Sequence, residues 1–199
     1  MDAFTYPTQP HARRHCPQGY ATLSSFRPWL RDEFSFRCVY CLLREQWALL
    51  PGMFDIDHFQ PVVHRADLAL DYDNLLYCCA SCNSAKGARK LPNPEQVLLA
   101  DGVEMHDDGR IEGKTRAARQ LIRVLGLDDP VYNEFRVQWR RMIGLAKEHD
   151  PELYRKLMGY PDDLPDLTTL RPPSGNVRPE GVTASFHALR DRGELPDIY

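Results

Sequence analysis

Phe54-Asp55-Ile56-Asp57-His58-Phe59 decides how this chain is read, because two C-x-x-C pairs bracket it, Cys38-Val39-Tyr40-Cys41 before and Cys79-Ala80-Ser81-Cys82 after. Two such pairs offer four thiolates, the set that encloses one tetrahedral zinc. Between them an acid and an imidazole stand side by side, Asp57 and His58, so the stretch predicts a site as well as a staple. Phe54 to Phe59 reads as a brief strand closed by Gln60-Pro61, and Leu75 to Cys78 as a second. Cys79 to Lys86 begins a short helix ending near Gly87. Strand, loop, strand and helix make a compact ββα unit.

Working outward, residues 1–22 carry Pro7, Pro10 and Pro17 without a hydrophobic period and predict an irregular arm, with His11 and His15 as surface histidines. Ser24 or Ser25 can cap a helix through about Phe36, with Pro28 in its first turn. Beyond Pro92 and Pro94, Asp107-Asp108-Gly109 reads as the turn of a small hairpin. Ala118, Leu121, Ile122 and Leu125 mark one helix face stopped by Gly126. Asp129-Pro130 starts a longer helix, in which Val131, Phe135, Trp139, Met142, Ile143 and Ala146 predict a continuous apolar stripe. Asp150-Pro151 starts one more, and residues 161–181 predict either an ordered wrap or a linker, with Leu164, Leu167 and Leu170 favouring the wrap. The expected organisation is an N-terminal arm and helix (1–37), a ββα core (38–90), a hairpin and helical annex (91–160) and a proline-rich tail with a short helix (161–199). The class is α+β, mainly helical.

The bulk numbers narrow the partners. With 199 residues, 43% hydrophobic and 27% charged, the chain has the composition of a globular protein. No apolar run is long enough to span a bilayer, and the polar first ten residues argue against a signal peptide, so the expectation is a cytoplasmic protein without a membrane partner. In a reducing compartment six cysteines favour metal binding over disulfides. A formal net charge of -3 argues against coating nucleic acid by bulk electrostatics, though not against a local basic face.

Cys38-x-x-Cys41, Asp57-His58, Asp73-Asn74-Leu75 and Cys79-x-x-Cys82-Asn83-x-x-Lys86 together resemble the HNH endonuclease family, of the ββα-metal fold, in its zinc-stapled form. The resemblance covers roughly residues 38 to 90. Asn83 stands where the family often has a histidine, which makes an H-N-N variant. The resemblance implies phosphodiester hydrolysis in DNA, a structural zinc on Cys38, Cys41, Cys79 and Cys82, and a catalytic magnesium or manganese. It also implies that Asn74 orients the His58 ring, and it extends more weakly to stand-alone bacterial proteins of restriction or phage defence, with a homodimer or a defence-system protein as partner.

The residues support a parallel physical argument. Phosphodiester hydrolysis needs a base to take a proton from water and a cation to stabilise charge on the phosphate and leaving oxygen. His58 is the natural base. Asp57 and Asn83 offer hard oxygen ligands for magnesium, which keeps several waters and needs few protein ligands. Lys86 is expected at the phosphate or on the helix surface, and Asp55 shares a strand face with Asp57. Adjacent strand residues point to opposite faces, so Asp57 and His58 can serve one site only if the strand bends or ends there. The competing reading is a non-catalytic zinc module that binds nucleic acid or protein, which needs the cysteines but not Asp57-His58 with two asparagines. RNA shares the chemistry with DNA, and nothing in the sequence separates the two.

Overall fold

Two short antiparallel strands and the helix that follows them carry the middle of the chain in a computed structural model, which describes residues 3–48, 50 and 52–199. Strand β1 (Phe54–His58) pairs with β2 (Leu75–Cys79), Phe54 opposite Cys79 and His58 opposite Leu75. All five residues of β2 are buried. Helix α1 (Arg27–Glu33) packs against this strand, preceded by a 3-10 turn, Leu23–Phe26. It is shorter than expected, because Ser35 and Phe36 take φ values of 52° and 56° and a left-handed backbone cannot continue the helix. Helix α2 (Ala80–Lys86) leaves β2 without a loop, capped by the Cys79 sulfur and stopped at Gly87, whose φ is 53°.

The annex follows the proline and glycine punctuation. A single turn, α3 (Pro94–Val97), leads into the hairpin of β3 (Val103–Met105) and β4 (Ile111–Gly113). Gly109 turns that hairpin at φ 82°, and a Cβ there would meet the Asn133 carbonyl at 2.2 Å, so both conformation and space require glycine. Helix α4 (Arg116–Leu125) runs from Thr115, whose side chain accepts the Ala118 amide, to a left-handed Gly126. Helices α5 (Pro130–His149) and α6 (Pro151–Met158) complete the annex.

The apolar stripe of α5 is narrower than the sequence predicts: Ile143 and Ala146 are buried, but Val131 is 78% exposed and Met142 45%. Only one line of the helix faces protein, where Trp139 stacks on Trp47 at 4.4 Å between ring centroids. The proline-rich tail is an ordered wrap. Asn176 pairs with Pro17 in an antiparallel bridge, its side-chain oxygen accepts the Cys16 amide at 2.8 Å, and Leu167 is buried. The tail ends in α7 (Glu180–Thr183) and α8 (Phe186–Asp191).

His11 and His15 overturn the expectation of surface histidines. His15 is fully buried with Nε2 2.8 Å from Asp32 Oδ1, and His11 Nε2 lies 3.0 Å from Glu33 Oε1. The two acids at the end of α1 bind the arm, which a proline-rich segment without hydrophobic period could not announce. No described helix is long and apolar enough to cross a membrane.

Candidate active site and cysteine cluster

The β1–β2 register and the turn after Leu42 bring the two cysteine pairs together. Cys38, Cys41, Cys79 and Cys82 are all buried, with their sulfurs within 4.8 Å of one another. The Cys38 amide donates to the Leu43 carbonyl and the Leu42 amide to the Cys38 carbonyl, closing the first knuckle, while β2 and the first turn of α2 supply the second pair. A tetrahedron with metal–sulfur bonds of about 2.3 Å has edges of roughly 3.8 Å, and Cys41 Sγ lies 3.7 Å from Cys79 Sγ. The spacing is far too long for disulfides, and all six cysteines are free thiols. The Cys38, Cys41 and Cys82 thiols and the Cys82 amide direct hydrogens at Cys79 and hold its thiol far below the usual range. A buried four-sulfur set at this spacing, with no further position, suits a structural zinc.

One face of β1 meets one face of α2. Asp55 and Asp57, two residues apart on the strand, oppose Asn83 and Lys86, three apart on the helix. Asn83 donates from Nδ2 to Asp55 Oδ2 at 3.3 Å. Lys86 donates from Nζ to Asp57 Oδ1 at 2.7 Å and to the His58 carbonyl at 2.7 Å. The other Asp57 oxygen accepts the Tyr40 hydroxyl at 2.7 Å. Burial pushes the Asp57 carboxyl above its ordinary range, against the Lys86 ammonium and the two hydrogen bonds that favour the charged form. Burial and the neighbouring Asp57 push the Tyr40 phenol well up, so it remains a donor.

Lys86, expected at the phosphate or on the helix surface, is turned inward. Its side chain is 1% exposed and its ammonium is held by Asp57, because α2 lays it along the strand rather than toward solvent.

His58 ends β1, and the chain turns there, so adjacency to Asp57 does not separate the two. Asp55, Asp57, His58, Asn83 and Lys86 all line one open cleft of about 620 Å³. His58 Nε2 lies 2.9 Å from the Ala69 carbonyl oxygen. A carbonyl only accepts, so Nε2 carries the proton and the lone pair of the neutral ring is on Nδ1.

The side-chain hydrogen bonds of Asn74 go to the loop backbone and not to that ring, which differs from the expected orienting bond. It is buried, its Oδ1 accepts the Gln60 amide at 2.8 Å, and its Nδ2 donates to the Gln60 and Leu68 carbonyls at 3.1 and 3.2 Å. The amide thus clamps both ends of the 60–71 loop, and the carbonyl next to Leu68 is the one that holds His58.

The donor set fits a hard divalent cation. Asp55, Asp57 and Asn83 offer carboxylate and amide oxygens beside one cleft, with the Asp57 oxygens held by the Lys86 ammonium and the Tyr40 hydroxyl. Sequence reasoning missed Tyr40 and the Ala69 carbonyl. Tyr40 lies inside the first C-x-x-C pair, so its closeness to the second half of the motif was implicit in the shared metal; nothing in the sequence marks Ala69.

Residues 38–89 match the family model described as HNH endonuclease, a span of about a quarter of the chain. The resemblance carried by the cysteine pairs and the Asp57-His58 string is met over that segment. A search of the curated proteins finds no match to the chain.

Proposed function

We propose, from the HNH match over residues 38–89, that this chain is a divalent-cation-dependent endonuclease that hydrolyses phosphodiester bonds in DNA, with His58 as general base. The observation that carries the reading is the bond between His58 Nε2 and the Ala69 carbonyl. It fixes the tautomer, so that Nδ1 is the ring nitrogen able to take a proton from water at the cleft. Asn74 acts as a positioning residue by holding the loop that carries Ala69. Asp57 and Asn83, with Asp55 beside them, would hold magnesium or manganese. A cation bound there supplies positive charge to the phosphate and the leaving oxygen. The cysteine cluster would hold zinc and keep α2 against β1 and β2, where so small a unit has little core of its own.

The test is cleavage of supercoiled plasmid in magnesium or manganese. EDTA should abolish nicking reversibly. His58→Ala should lower the rate about 100-fold or more, and Asn83→Ala should raise the cation concentration needed. A His58→Ala protein that nicks as fast as the parent would remove the base from the proposal. Full-rate nicking in metal-free buffer would remove the cation.

A further inference from the structure

Lys86 is an odd occupant of a cation site. It is the only lysine among the buried charged residues of the described chain, and its Nζ bonds Asp57 Oδ1 and the His58 carbonyl, each at 2.7 Å. Tyr40 takes the remaining Asp57 oxygen at 2.7 Å. Both oxygens of the carboxylate therefore already have donors, while Asn83 and Asp55, one helical turn away, are only half-buried and joined by a longer 3.3 Å bond. A divalent ion approaching from the cleft finds Asn83 and Asp55 accessible and Asp57 blocked by an ammonium. Two cations at contact distance from one carboxylate oxygen repel, and the repulsion in a buried site exceeds that in water several-fold.

We infer that Lys86 is an exchangeable internal counter-ion, which occupies Asp57 in the resting protein and is displaced when a divalent cation binds. The inference rests on the proposed catalytic cation and adds a conformational step to it. The resting pair keeps Asp57 compensated without metal, where a lone buried carboxylate would be costly. Displacement turns the ammonium from Asp57 toward the cleft that Lys86 also lines. There it adds positive charge beside a bound phosphate. The phosphate contact that the resting geometry denies to Lys86 thus belongs to the metal-loaded state. Cation binding and the arming of the cleft with a second positive charge become one event.

The experiment uses the full zinc-loaded chain and manganese alone, without nucleic acid. Manganese binding is read from the electron paramagnetic resonance of the free ion, and zinc content and thermal midpoint are followed for every protein. Lys86→Met keeps the buried stem but removes the competitor, and it should bind manganese about tenfold tighter or more. Unchanged or weaker binding with zinc retained overturns the inference. A second measurement needs no variant: Lys86 should resist acylation by a succinimidyl ester in metal-free buffer and become labelled at saturating manganese, with the acetylated position read by mass spectrometry. Protection that persists in manganese overturns displacement. If the parent nicks plasmid with manganese while both readouts stay flat, exchange fails and the nuclease reading stands. If the parent neither binds manganese nor nicks, both fail together.

Discussion

Glu33→Gln should cost this protein about 3 kcal/mol at neutral pH, and the loss should vanish in acid. The Glu33 side chain is fully buried and accepts four hydrogen bonds: from His11 Nε2 at 3.0 Å, the Arg14 amide at 2.8 Å, the His15 amide at 2.9 Å and the Tyr72 hydroxyl at 3.1 Å. Burial by itself pushes the carboxyl up, but the His11 and Arg14 donors, with the charge of Arg13, outweigh it and hold the group at about 2, below the 4.5 of a free glutamate. At 1.36 kcal/mol for each tenfold change in proton affinity, that gap is worth about 3 kcal/mol to the folded state. The sign follows from the direction. The unfolded chain binds the proton more readily, so the contribution is complete above about pH 4.5 and disappears as pH falls through about 2. Glutamine keeps the shape but replaces one acceptor oxygen with a donor facing donors. Urea unfolding followed by tryptophan fluorescence at pH 7 should separate parent and variant by roughly 3 kcal/mol, a large share of a typical domain's stability. The gap should narrow as the pH is taken below 4.5, and zinc release in acid affects both proteins alike. Equal stabilities at pH 7, or a gap that does not shrink on acidification, would refute the reasoning.

Other outcomes follow from the site and its scaffold. Stripping zinc with a thiol-reactive mercurial should unfold residues 38–89, seen as new proteolytic cleavage there, because zinc bound to folded thiolates contributes on the order of 10 kcal/mol in small metal-stapled units; an unchanged digestion pattern would make the cluster dispensable. Asn74→Ala removes three partly buried hydrogen bonds and should cost about 2 to 3 kcal/mol, lowering nicking even at temperatures where the variant is fully folded. Nicking at the parental rate there would leave Asn74 a purely structural clamp. Tyr40→Phe deletes the donor at 2.7 Å from Asp57 and should cost about 1 to 3 kcal/mol in thermal or urea unfolding, with the zinc content unchanged. Loss of zinc in that variant would mean that the bond to Asp57 also supports the cysteine knuckle in which Tyr40 stands.

Much of the ββα unit was legible because its signals are local. C-x-x-C spacing, a strand closed by Gln60-Pro61 and a glycine at the end of α2 each act over a few residues, and the Asp57-His58 pair stands between them in linear order. The annex boundaries were legible for the same reason: Asp129-Pro130, Asp150-Pro151 and Gly126 are helix punctuation. What failed depended on facing partners. His11 and His15 look like loop residues until Asp32 and Glu33 are brought to them. Val131 and Met142 fit a helical period, but only a neighbour decides how wide the covered stripe is.

At the site the division is similar. The order of cysteines, acid, imidazole and asparagines determined by itself which residue types would assemble, since two C-x-x-C pairs suited to one metal meet at one point and carry the strand and helix with them. Which atom of each residue meets which partner was decided only in three dimensions. Lys86 lies 29 residues from Asp57 in the chain and 2.7 Å from it in space, and Asn74 reaches the His58 ring only through a loop carbonyl. Such contacts depend on the direction of a side chain across a packed strand–helix face, and direction is a property of the surrounding fold that the local sequence does not encode.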